Sequence, residues 1–295
     1  MSEFVLSCCS TADLSKEHFE NRNISYICFH FEIDGVEYQD DLGQSIPFDE
    51  FYKKMEDGAI TKTSQINTQE FVSYFEKILN EGKDILHICL SSGLSGVSNS
   101  ACAARDILKD KYPERKIFVV DSLGASSGYG LIMETLADMR DEGKSIEELY
   151  YWIESHKLEL HHWFFSTTLK YYVRGGRISK TAGFVGELLK FCPLLNMNYE
   201  GKLTPREKVR TKKKVMEAVV NKMEQNAKDG INYSGKCYIC HSACLEDAKT
   251  VASLIEDRFK KLNGKVLINN IGTVIGSHTG PGTISVFFWG SKRSD

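Results

Sequence analysis

Six short stretches hold most of the side chains that could bind or activate a small molecule. They are CSTADL (Cys9–Leu14), KTSQIN (Lys62–Asn67), SSGLSG (Ser91–Gly96), DSLGASSGYG (Asp121–Gly130), RGGRISK (Arg174–Lys180) and GSHTGPGT (Gly276–Thr283). All are rich in serine, threonine or glycine, and the obvious carboxylates beside them are Asp13 and Asp121. Hydroxyls and backbone N–H groups at this density are donors for an oxyanion, and a helix N-terminus adds unpaired N–H groups and the positive end of its dipole. Ser95 and Gly96 open the helix that carries Val97, and Thr63 and Ser64 come just before a cap at Asn67. Arg177 and His278 bring positive or proton-donating character, His278 within a glycine-rich loop that lets a ligand approach the backbone closely.

Singly, each stretch has an ordinary explanation. Ser, Thr or Asn before a helix is usually only a cap, Gly175–Gly176 a tight turn, Arg177 half of a surface ion pair and His278 a hydrogen-bonded loop residue. Six such stretches at predicted strand ends exceed what capping requires, and strand ends are where open α/β sheets bind ligands. Catalysis has less support. SSGLSG lacks the Gly-x-Ser-x-Gly spacing of a nucleophile elbow. There is no P-loop lysine motif, no Gly-x-Gly-x-x-Gly fingerprint and no His-Glu-x-x-His. Many oxyanion donors with little evident base favour binding over turnover.

The elements that must position these groups alternate. Apolar, β-branched and aromatic runs of strand length occur at Phe4–Ser7, Ile24–Phe31, Ile85–Leu90, Ile117–Val120, Trp163–Thr167, Cys237–Cys240, Val266–Ile271 and Thr283–Trp289. Between them lie helical patterns. Phe71, Phe75, Ile78 and Leu79 share a face behind an Asn67/Glu70 capping box, with Gly82 as the stop. Val97, Ala101, Ala104 and Leu108 form another apolar face, and Ser145 with Glu148 forms a second capping box. Such alternation predicts an α/β fold with mainly parallel strands. A Glu200–Gly201 turn predicts antiparallel pairing in the second half. Two closely packed α/β domains are therefore expected, residues 1–158 with a mainly parallel sheet and residues 159–295 with a mixed one.

Bulk composition narrows the partners. The 295 residues are 42% hydrophobic and 26% charged, with formal net charge −3. No basic stripe interleaved with aromatics is present, so nucleic acid is not an expected partner. No apolar run approaches the roughly 20 residues that span a bilayer, and the N-terminus lacks a basic start. Membrane insertion is not expected, and the chain reads as cytoplasmic. The nine cysteines then read as reduced thiols. Cys237, Cys240, His241 and Cys244 suggest zinc by composition, but residues three apart on a strand point to opposite faces, and zinc is set aside.

In this order, the N-terminal Ser-Thr, TSQ, SSGLSG, DS…AS, GGRISK, PLL…GKL…KVR and GSHTGPG resemble the DegV family of bacterial fatty-acid-binding proteins, over roughly Phe4 to Phe288. The resemblance implies two α/β domains and a bound long-chain fatty acid such as palmitate, with no other cofactor and no metal. It implies a carboxylate held by Thr63 and Ser95, with Ser64, Ser92, Gly96, Arg177, His278 and Thr279 around the head group. Some family members are lipid-carrying, non-catalytic subunits of a fatty-acid kinase, which implies an ATP-dependent kinase subunit as partner and allows transient membrane contact. PREKVRTKKK (Pro205–Lys214) is a basic run that would suit such a partner, although it also reads as a solvated helix start. Cys9 and Cys192 stand where the family commonly has charged residues. The apolar stretches Gly183–Phe191 and Leu131–Leu136 are candidates for the tunnel wall, or for core packing. The competing class is an enzyme, either a phosphotransferase subunit related to dihydroxyacetone kinases or an acyl hydrolase using Ser95.

Overall fold

The computed structural model describes residues 3–179 and 191–294. Three sheets organise it. The first is four-stranded and wholly parallel, in the order β2 (Ile24–Ile27), β1 (Phe4–Cys9), β6 (Asp84–Cys89), β7 (Ile117–Asp121). The second is antiparallel, in the order β4 (Val36–Gln39), β3 (His30–Ile33), β5 (Thr61–Ser64). The third has six strands, in the order β10 (Leu203–Val209), β9 (Cys192–Met197), β8 (Leu160–Ser166), β13 (Thr283–Trp289), β11 (Tyr238–His241), β12 (Leu267–Asn270). Only its β11–β12 pair is parallel. The first sheet is parallel and the last mixed, as the alternation and the Glu200–Gly201 turn predict. The small antiparallel sheet was not expected. The run Ile24–Phe31, expected from its composition to be one strand, is broken at Cys28 and Phe29, and its two ends serve different sheets.

The first sheet is flanked by α1 (Lys16–Asn21), α3 (Thr68–Asn80), α4 (Val97–Lys111), α5 (Ser127–Asp141) and α6 (Ile146–His156), while α2 (Phe48–Glu56) lies by the small antiparallel sheet, its Phe51 meeting Phe31 of β3 edge-on. Both predicted capping boxes form, Asn67 with Glu70 and Ser145 with Glu148. Phe71, Phe75, Ala101, Ala104 and Leu108 are buried as their spacing requires. The third sheet carries α8 (Lys212–Asn226) and α9 (Leu245–Arg258) on one face, over a core that includes Trp163, Phe165, Val219 and Ile255. Its other face receives α5, which also packs on β1. A short helix, α7 (Lys170–Arg174), follows β8. Leu131 and Leu136 lie fully buried in the larger core. The stretch Gly183–Phe191 falls outside the described residues except for Phe191.

GSHTGPGT is not wholly a loop. Gly276–Thr279 form the end of a seven-residue helix, α10 (Thr273–Thr279), which packs back on α2, α7, β3 and β5. Only Gly280–Gly282 form the connection to β13, and Gly280 and Gly282 take the left-handed φ values of 71° and 81°. The helix escaped the sequence reading because its seven residues include a glycine and two threonines, weak formers held by packing. KTSQIN also begins inside a strand rather than after one, and RGGRISK follows α7.

A buried charge cluster fastens the first sheet's helices to the third sheet. Glu134, 9% exposed, accepts hydrogen bonds from His18 Nε2 at 2.9 Å and Lys236 Nζ at 2.6 Å. Arg22 lies 3.2 Å away, and Lys236 also reaches Asp138. Desolvation alone would raise the Glu134 carboxyl, but the hydrogen bonds from His18 and Lys236 and the charges of Lys236 and Arg22 outweigh it and hold it at about 2. A carboxyl depressed on folding contributes stability above its unfolded pKa, which is lost as pH falls through the folded one. Glu134→Gln is therefore expected to lose about 3 kcal/mol at neutral pH. In denaturant titrations it should also flatten the wild-type loss of stability between pH 4.5 and 2; an unchanged acid limb would refute the assignment.

Candidate anion-binding mouth and apolar cavity

Between the first and third sheets lies a cavity of about 380 Å³, within the usual range for small-molecule sites. Thr63, Ser95, Gly96, Arg177, His278 and Thr279 all line it. Apolar side chains supply most of the remaining wall, among them Phe29, Leu90, Phe164, Met197, Val274 and Phe287.

The polar groups are joined in a chain whose direction can be worked out. Arg177 Nη1 lies 3.2 Å from His278 Nδ1, and His278 Nε2 lies 2.8 Å from Thr63 Oγ1. Guanidinium can only donate, so Nδ1 is the acceptor and the imidazole proton sits on Nε2. Nε2–H then donates to Thr63 Oγ1, which leaves the threonine proton free to point at an acceptor in the cavity. His278 stays neutral. Burial first, and the Arg177 and Arg174 charges second, push it down to about 3. Gly175 makes the contact feasible, because a methyl group there would collide with His278 Nδ1.

Ser95 belongs to the loop that leads into α4. Its hydroxyl donates to Gln65 Oε1 at 3.2 Å and accepts from the Val97 N–H at 3.3 Å. Gln65 Nε2 in turn donates to Ser100 Oγ. This loop is pinned from the far half of the chain. Ser91 Oγ donates to Gly201 O at 2.8 Å, and a Cβ on Gly93 would stand 2.6 Å from that oxygen. The β9–β10 turn therefore presses directly on SSGLSG, and only glycine fits at 93. Arg177 Nη2 adds a hydrogen bond to Leu94 O at 3.0 Å. Burial lowers the Arg177 pKa, and no carboxylate pairs with Arg177 among the described residues. A half-desolvated cation and the positive end of α4 thus face the same space.

Thr63 and Ser95 meet at one cavity, as do Gly96, Arg177, His278 and Thr279. Ser64 and Ser92 do not. Alternation along β5 turns exposed Ser64 to the opposite face, beside His30 and Glu70. Ser92 is exposed, and its N–H donates to Asp121 Oδ1. Gln65 and Gly175 carry no signal of a site in the sequence, the first hidden behind its hydroxyl neighbours and the second because only contact geometry shows why it is glycine. His278, expected around the head group, lines the cavity with both ring nitrogens engaged within the protein.

A family model described as "Uncharacterised protein, DegV family" matches residues 9–290. The chain belongs to the DegV family. A DegV domain-containing protein of Clostridium perfringens is 38% identical, over 99% of both chains. Among solved structures, a fatty-acid-binding DegV family protein from Thermus thermophilus superposes with a TM-score of 0.86 at 26% identity, covering 99% of this chain and 100% of that one. A DegV lipid-binding protein from Thermotoga maritima gives 0.85 at 26% identity and the same coverage. The Streptococcus pneumoniae Fatty Acid Kinase B3 protein, loaded with linoleic acid, gives 0.83 at 21% identity over 99% of this chain and 100% of that chain, a likeness of fold.

In this DegV chain the proton position on His278 is directly measurable. Imidazole nitrogen-15 shifts should report a neutral, Nε2-protonated ring from neutral pH down to about pH 4. An imidazolium at pH 6 would break the inferred direction of the chain. The sign follows from the depressed pKa of about 3. The folded state binds fewer protons than the unfolded one, so this group destabilises the protein as pH falls below about 6.5.

Proposed function

We propose that this protein is a carrier for a long-chain fatty acid. The carboxylate is held by the Thr63 hydroxyl and by the Ser95 hydroxyl, which turns to the acid from its long 3.2 Å bond to Gln65 Oε1, beside the Arg177 charge, and the acyl chain lies in the apolar cavity. The observation that carries the reading is that these two hydroxyls, 32 positions apart in sequence, border one cavity whose walls are otherwise mostly apolar. Likeness to fatty-acid-binding DegV structures supports it. Arg177, which has no carboxylate partner among the described residues, completes the argument, since the ligand's carboxylate would supply that charge.

The energetics assign separate tasks to the two ends. A sixteen-carbon tail contributes on the order of 11 kcal/mol gross at roughly 0.8 kcal/mol per buried methylene. Lost translational and rotational freedom returns an estimated 4–15 kcal/mol. The tail therefore sets retention, and the head group, at roughly 1.5–3 kcal/mol per charged hydrogen bond, sets orientation and selects acids.

Turnover by this chain alone is disfavoured. Ser95 Oγ donates to Gln65 rather than to a base. The two histidines lining the cavity are committed elsewhere: His278 to Arg177 and Thr63, and His162 Nε2 to the Ala125 N–H. That removes the general base an acyl hydrolase would need. The family resemblance instead points to presentation of the acid to a separate ATP-dependent kinase subunit. A cytoplasmic setting suits the nine free cysteines.

Native mass spectrometry of protein purified from a bacterial host should show one co-purified long-chain acid. Thr63→Val and Ser95→Ala should each weaken fatty-acid affinity about tenfold or more. Wild-type affinity in both variants, or rapid product release from an acyl ester, would overturn the carrier reading.

A further inference from the structure

The floor of the cavity is one face of the six-stranded sheet, and its side chains alternate strictly. On β13, Ser285 and Phe287 face the cavity, while Ile284, Val286 and Phe288 join the core beneath α8 and α9. On β8, His162 and Phe164 face the cavity, while Trp163 and Phe165 face away. In register, one row across four strands reads Leu195, Phe164, Ser285, Cys240. Leu195 and Phe164 are apolar, and the Cys240 thiol is engaged by Ser127 Oγ at 2.8 Å.

Ser285 stands apart in this row. It is 8% exposed, lines the cavity, and its hydroxyl has no hydrogen-bond partner among the described residues. Of the other hydroxyls lining the cavity, Tyr172 pairs with Thr283 Oγ1 at 3.1 Å and Ser126 donates to Asp13, whereas Thr279 Oγ1 also lacks a partner among the described residues but belongs to α10 at the mouth, next to His278, and not to the sheet floor. A plain alkyl chain laid over Ser285 would seal an unpaired hydroxyl away from water, which is unfavourable. Alanine would suit such a chain better. A ligand with an oxygen at this point would instead give and receive a hydrogen bond.

We propose that the cavity takes long-chain acids bearing a hydroxyl or oxo group along the chain, with Ser285 as the residue that recognises it. This rests on the fatty-acid reading above and narrows its ligand class. The geometry separates the two roles, because Ser285 lies on the sheet floor and Thr63 and Ser95 on elements of the opposite half.

The test uses the full chain stripped of lipid, with octadecanoic acid and a series of hydroxyoctadecanoic acids whose hydroxyl is stepped along the chain. All hydroxy isomers lose similar hydration on entry, so position alone separates them. One position should bind about tenfold tighter than the other isomers. Ser285→Ala should erase that preference while binding octadecanoic acid at least as well as wild type, and Ser285→Thr should keep it. A flat profile across the isomers in wild type, or a preference that survives in Ser285→Ala, overturns the proposal while leaving fatty-acid binding intact. Failure of every acid to bind would overturn the underlying reading as well.

Discussion

The hydrogen bond from Arg177 into a neutral, buried His278 is the constraint on which the rest of the site depends. One guanidinium reaches the imidazole of α10, the carbonyl of Gly175 and the carbonyl of Leu94 in the SSGLSG loop. It therefore fixes the relative positions of three segments far apart in sequence. Because arginine cannot accept, it also dictates which imidazole nitrogen carries the proton, and hence which way the Thr63 hydroxyl points. A lysine would carry the charge but not the fork that spans the three acceptors.

The helix that bears His278 is itself held by an unusual pair. Asp40 accepts from Ser10 Oγ and from both the N–H and the hydroxyl of Thr273, the first residue of α10. Asp13 lies close by, hydrogen-bonded to Ser126, and a Cβ on Gly272 would stand 2.5 Å from its Oδ1. Burial raises both carboxyls, and the Asp40 charge adds to the rise at Asp13. The three donors on Asp40 offset part of that rise, so negative charge is better supported there than on Asp13. The anion at the start of α10 also suits the positive end of its backbone dipoles. This polar knot joins the end of β1, the end of β4, the start of α5 and α10.

Local rules carried most of the architecture and some of the site. Capping boxes at Asn67 and Ser145, and the apolar faces of α3 and α4, are written in neighbouring residues, so sequence alone places them. Thr63 and Ser95 were legible because hydroxyls beside helix starts are a local signature, although Ser64 and Ser92 share it and point elsewhere. What sequence could not show is set by contacts between distant segments. Gly93 answers to the carbonyl of Gly201, Gly175 to His278, and α10 exists through packing against α2 and α7 rather than propensity. The cavity walls are equally silent, since Phe29, Phe164 and Phe287 are indistinguishable in sequence from the core phenylalanines beside them.

The division of labour between mouth and floor also bears on how a bound acid could be handed to another protein. A carboxylate held by direct ion pairing to a buried arginine would be shielded on both oxygens and strongly stabilised as the anion. Here the imidazole stands between Arg177 and Thr63, so the hydroxyls rather than the guanidinium are the nearest donors along this path. Hydroxyl donors leave lone pairs of the acid available and make few demands on geometry, whereas bidentate pairing would lock both. The cation then acts through its field, which is long-ranged in a poorly solvated mouth. On the proposed carrier reading retention rests on the tail, so the head group can remain chemically accessible without the ligand being lost.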